Sequence, residues 1–231
     1  MKHNYSKGFT LAEVLVTLGI IGVVSAMTIP TLVKNHQRTV YVTQLHKVYN
    51  ELNQAVESYT TSRNAVNLRE AGVRSGDDIE KFIQAEYKTV KVCSDSSTPC
   101  FASAYETLDG SALEDDVFNP SENEGYCFST PSGYSMSLAF SGNILVIFTD
   151  VNGPQGPNIA GRDFFNLAVY TPKNSVDSLM VAFGLFLYDA ANKPESEMDK
   201  AAVREDYSKN CTSSGLGCFD RILNDNWQMN Y

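Results

Sequence analysis

From Phe9 to Val33 nearly every position is apolar, and beyond it the pattern thins to one face. Leu45, Val48, Leu52, Ala55 and Tyr59 recur in alternating steps of three and four, with Val40, Tyr41 and Val56 nearby. Lys47, Asn50, Glu51, Gln54 and Glu57 fill the opposite positions. That period is helical, and it predicts one long helix from about Phe9 to Thr61. The first half is greasy all round; the second half is amphipathic, suited to docking on a globular head. The amphipathic pattern lasts about two heptads, short of what a coiled-coil seam needs.

Residues 62–123 read as helical and irregular. Ser75-Gly76-Asp77-Asp78 opens a short helix with Ile79, Phe82 and Ile83 on one face. From 125 to 190 strand signals dominate. Tyr126 to Thr130 precedes a Pro-Ser-Gly turn, and Tyr134 to Ser141 alternates with Met136, Leu138 and Phe140 on one side. Ile144 to Thr149 follows Gly142-Asn143. Two-residue turns between such runs suggest an antiparallel meander, which Phe164 to Tyr170 and Leu179 to Tyr188 would extend. A helix lying across such a sheet is an α+β arrangement. The tail, from Cys218 to Tyr231, reads as a short helix and an extended end carrying the only tryptophan, Trp227.

The chain has 231 residues, 43% hydrophobic and 19% charged, enough for a folded head. A net charge of −9 argues against a nucleic-acid partner. The small basic cluster Lys2, His3 and Lys7 reads instead as a topology signal. Cys93 and Cys100 share one spacing with Cys211 and Cys218, and the three histidines (His3, His36, His46) all lie upstream. Two local disulfides are therefore favoured over zinc or buried reduced thiols. Cys127 is left over. Disulfides place the bulk of the chain outside the cytoplasm.

Phe9 to Val33 is long enough to cross a bilayer, and longer than the apolar core of a cleaved secretory signal. Length alone would make it a signal anchor. Glu13 does not suit that reading, because an ionised side chain within a bilayer costs a few kcal/mol even on permissive scales. Cleavage between Gly8 and Phe9 would create a cationic α-amine on Phe9. Glu13 lies four residues on, on the same helical face. It would meet that amine in its own chain or in a neighbouring one; the spacing does not choose.

Lys7-Gly8-Phe9-Thr10-Leu11-x-Glu13, followed by an apolar helix, resembles the prepilin cleavage and N-methylation motif of type IV pilins and type II secretion pseudopilins. The resemblance implies cleavage after Gly8 and methylation of Phe9 by a prepilin peptidase. It implies that Glu13 pairs with the Phe9 amine of an adjacent subunit, and that Pro30 marks a kink or melting point. Without the resemblance, Pro30 would be a helix end at the membrane face. The implied organisation is a leader (1–8), a membrane and assembly helix (9–33), an amphipathic stem (34–61) and a head (62–231) with the pilin-like α+β fold. The implied partners are the peptidase, other subunits and an inner-membrane assembly platform. The implied location is the bacterial inner membrane with the head in the periplasm, then a pilus or pseudopilus. The chain is expected to be a structural subunit; a minor pilin used for adhesion or DNA uptake, and a signal-anchored extracytoplasmic protein, are the alternatives.

In Asp150-Val151-Asn152-Gly153 and on to Asp163, the oxygens of Asp150, Asn152 and Asp163 stand in a loop rich in glycine and proline. This stretch resembles a loop that binds calcium in some pseudopilins. The spacing is not that of an EF-hand, and an Asx-structured turn is the competing reading. No cofactor other than calcium is expected. The Trp227 and Tyr231 ending resembles that of many pilin-like secretion proteins. No phosphate loop, H-E-x-x-H or G-x-S-x-G appears, and a Ser/His/Asp triad would lack a histidine beyond the stem, so no enzyme is expected.

Overall fold

The structure is a computed structural model. It describes residues 9–93, 96–113, 125–141, 144–170, 178–180, 200–212 and 214–231. The leader, most of residues 111–124, the 142–143 turn and the expected strand beyond Met180 lie outside these. Residue contacts divide the chain after Val40, and the two parts are taken separately.

Helix α1 runs from Leu11 to Ser62. From residue 41 onward it shows the expected stripe: Val42, Leu45, Val48, Leu52, Ala55 and Tyr59 are buried. These join Ile79, Phe82 and Ile83 of α2 (Gly76–Glu86) in the main core. Helix α2 starts where Asp78 accepts hydrogen bonds from the Arg74 backbone N–H (3.2 Å) and the Ser75 hydroxyl (3.0 Å). Acidic residues at Asp77 and Asp78 suit the positive end of the helix.

The sheet is an antiparallel meander in simple order: β1 (Lys91–Cys93), β2 (Tyr126–Ser129), β3 (Ser135–Ser141), β4 (Ile144–Asp150), β5 (Phe164–Tyr170) and β6 (Ser178–Met180). With α1 and α2 it makes the expected α+β fold. The β3–β4 pairing runs from Ser135↔Asp150 to Ser141↔Ile144. The β2–β3 connection is not a two-residue turn. Ser129 pairs with Ser135, and the Thr130 N–H closes the link on the Tyr134 carbonyl. Gly133 takes a left-handed φ of 93° there, which favours glycine.

Alternation assigns the two sheet faces. Tyr126, Phe128, Met136, Leu138, Leu145, Ile147, Phe165, Leu167 and Val169 face the helices. The other face is covered as well. Phe101, Tyr105, Cys127, Phe148 and Phe164 form a second core beneath the 96–113 segment. Ser135 and Ser137, on what the sequence presents as a polar face, are therefore buried. The Ser135 hydroxyl donates to the Cys100 carbonyl at 2.5 Å. β1 falls inside a segment read as helical and irregular.

Cys93 is bonded to Cys100, and Cys211 to Cys218. The 93–100 loop lies at the surface through Ser96 and Pro99, but both its cysteines are buried. Toward the C-terminus, α3 (Lys200–Ser208), a short 3-10 turn (Lys209–Thr212) and α4 (Cys218–Asn224) follow. A side chain at Gly161 would collide with Cys218 Sγ, so the second disulfide lies against the β4–β5 loop. The tail then returns to the stem. Trp227 packs on His46 with ring centroids 4.1 Å apart, and the Tyr231 hydroxyl donates to the Gly161 carbonyl at 2.6 Å.

Candidate functional site: the amino-terminal helix

A helix leaves its first backbone N–H groups without partners. Here Thr10 and Glu13 supply them. The Thr10 backbone N–H and the Thr10 hydroxyl both donate to Glu13 Oε2 at 2.8 Å, and the Glu13 N–H donates to Thr10 Oγ1 at 3.3 Å. This reciprocal pair is a capping box, read from Thr-x-x-Glu. Thr-x-x-Glu is a capping signature legible in the sequence, and Thr10 is the capping residue that a reading of Glu13 by charge alone leaves out.

Past the cap the helix is apolar on every side, and its large side chains are exposed. Phe9 is 89% exposed and Leu32 74%; Leu15, Leu18, Ile21 and Val24 are likewise open. An isolated water-soluble head does not present such a surface. α1 includes a stretch long and apolar enough to cross a membrane. Its polar atoms turn inward: the Thr17 hydroxyl donates to the Glu13 carbonyl and the Thr28 hydroxyl to the Val24 carbonyl, both at 2.9 Å. These two hydroxyls are thus satisfied inside the segment, as a lipid surrounding demands. α1 passes through Pro30 without ending. Pro30 has no N–H to give the carbonyl one turn back, so the ladder is one bond short there.

The β4–β5 loop holds Asp150, Asn152 and Asp163 close together. Asp163 accepts the Asn158 N–H at 2.8 Å and the Ile159 N–H at 2.7 Å, one on each carboxylate oxygen. Asp150 accepts the Tyr105 hydroxyl at 2.5 Å on one oxygen and the Asn152 N–H at 3.1 Å on the other. Burial pushes Asp150 up to about 8 and raises Asp163 too. The Asn152 side-chain amide donates to the Gln155 and Gly156 carbonyls at 2.6 and 3.2 Å. Asn152 Oδ1 and Asn158 Oδ1 are buried without a hydrogen-bond partner among the described residues. Among the described residues two carboxylates converge here, and all four of their oxygens accept hydrogen bonds from the chain itself. The geometry is that of a loop tied by Asp side chains to its own backbone.

A family model, the prokaryotic N-terminal methylation motif, matches residues 3–29. No curated protein and no solved structure matches the chain. The matched span covers Phe9, Thr10 and Glu13 and the apolar segment as far as Ile29, and Gly8 lies within it but outside the described residues. The motif implies processing by a prepilin peptidase and assembly with other subunits, and the apolar helix fits a membrane-anchored chain. Residues 3–29 carry the prokaryotic N-terminal methylation motif, and the long helix with its α+β head is consistent with the type IV pilin and pseudopilin family.

Proposed function

We propose that this protein is a structural subunit of a type IV pilus or a type II secretion pseudopilus, cut after Gly8 and methylated on Phe9. The observation that carries the reading is the contrast along α1. The half inside the matched motif exposes its apolar side chains all round, whereas the half from Val42 to Tyr59 buries its apolar stripe in the head. The first surface needs lipid, and later needs neighbouring helices. In the membrane the processed chain waits as a single-pass anchor with its head in the periplasm. On assembly the helices exchange lipid for one another, and packing rather than chemistry drives the step.

Glu13 fixes the register of that exchange. Both Thr10 bonds fall on Oε2, which leaves Oε1 to receive the Phe9 ammonium of a neighbour. Such a pair inside an apolar bundle favours one stagger over others, because any other leaves both charges unpaired. The test is fractionation of a host carrying the assembly platform and of the same host without it. The processed chain is expected in sheared filaments, or cross-linked to other subunits, only when the platform is present. A chain that stays monomeric in the membrane of both hosts contradicts the proposal.

A further inference from the structure

Cys127 is the free cysteine, and it does not stand alone. It is the register partner of Cys93 across the β1–β2 pair. Directly opposed residues of an antiparallel pair point to the same face. Their Cα atoms stand about 4.5–5.5 Å apart, within the range a disulfide spans. The Cys127 thiol also lies 3.9 Å from the Ser97 carbonyl, inside the loop that Cys93 and Cys100 close. All three sulfurs belong to one buried cluster.

We infer that Cys93, Cys100 and Cys127 form a single exchangeable three-sulfur site, able to hold either a Cys93–Cys100 or a Cys93–Cys127 disulfide. The step is redox-neutral. Cys127 loses its proton to solvent, and its thiolate attacks Cys93 Sγ in line with the existing bond. The Cys93–Cys100 bond breaks, its electron pair leaves on Cys100 Sγ, and Cys100 takes up a proton. Strand register selects Cys93 over Cys100 as the sulfur attacked. One bond closes a surface loop; the other staples the edge strand β1 to β2.

Burial holds the Cys127 thiol up at about 12, so the closed head exchanges slowly. Exchange proceeds when β1 opens. β1 is a three-residue edge strand with two exposed positions, and such strands belong to the least stable parts of a fold.

The test is non-reducing peptide mapping of the full chain in detergent. The chain is held at mildly alkaline pH through a urea series, then trapped with N-ethylmaleimide. The expected result is a Cys93–Cys127 peptide with the label on Cys100, emerging at urea below the main unfolding transition. Label on Cys127 alone at every urea concentration overturns the inference. A Cys100→Ser variant gives a second reading: after oxidation it is expected to carry the Cys93–Cys127 bond. Two labelled thiols in a variant that retains its sheet and its Cys211–Cys218 bond overturn the inference as well. Should that variant fail to fold, the wild-type map decides.

Discussion

Thr10 and Glu13 close on each other through one carboxylate oxygen, Oε2, which accepts both the Thr10 backbone N–H and the Thr10 hydroxyl at 2.8 Å. The acid that the proposed assembly calls for is therefore also part of the cap of its own helix. The two roles separate by mutation. Thr10→Ala removes the cap, worth about 1 kcal/mol, and should speed hydrogen exchange in the first helical turn while filament yield falls modestly. Glu13→Ala should still insert in the membrane but assemble poorly. Equal yields from the two variants would mean that assembly needs the cap rather than the charge.

The two halves of α1 should respond oppositely to truncation. Leu52 is fully buried, so Leu52→Ala should destabilise the head by about 2–5 kcal/mol. Leu18 is exposed, so Leu18→Ala should leave head stability within about 0.5 kcal/mol of wild type while weakening assembly. Urea unfolding of the full chain in detergent, followed by Trp227 fluorescence, measures the first. Pull-down of tagged subunits measures the second.

Pro30 leaves one helical bond unmade. Pro30→Ala should stabilise the helix locally by up to about 3 kcal/mol. Slower hydrogen exchange around Ala26 would report it. If the subunit bends or loosens at Pro30 on packing, the stiffer variant should also assemble less well. Unchanged exchange would show that the segment gives nothing at that position.

Asp220 sits in α4, fully buried, and among the described residues neither of its oxygens has a hydrogen-bond partner. Burial pushes it up to about 8, and Arg204 nearby only partly opposes that. Its folded value thus lies above the unfolded one, near 4. Its contribution to stability is therefore fully present below about pH 4 and is lost as pH rises through about 8. Asp220→Asn should remove that loss. Its Tm should exceed the wild type's at pH 8, by several degrees, and vary less between pH 5 and 9. A variant less stable than wild type at pH 8 would show that the carboxylate has a partner when ionised.

The β4–β5 loop yields a prediction about calcium. With all four carboxylate oxygens of Asp150 and Asp163 accepting hydrogen bonds, millimolar calcium should give no binding heat and no rise in Tm. Saturable heat that Asp163→Asn abolishes would contradict that account of the loop.

Much of this architecture was legible because its signals are local. The spacing Leu45, Val48, Leu52, Ala55, Tyr59 is a helix period, and those residues are the buried ones. Alternation in β3 put Met136 and Leu138 on the helix-facing side. What escaped was non-local. Burial of Ser135 and Ser137 depends on a cover strapped on from residues 96–113, through contacts such as Tyr105 to Asp150, 45 residues apart. β1 has three residues, too few for a period, and exists only through its pairing with β2. The opposition of Cys93 and Cys127 follows from that pairing and was hidden with it. Thr10 was a different failure: its cap signature was local and readable, but the acid beside it invited a longer-range explanation.

The central claim is that the chain matures at the Gly8–Phe9 bond, and intact-mass analysis of the membrane-extracted protein tests it most directly. The account predicts loss of residues 1–8 and one added methyl group in a host with active prepilin peptidase, and the uncut mass in a host without it. An uncut, unmethylated chain in the competent host would contradict it.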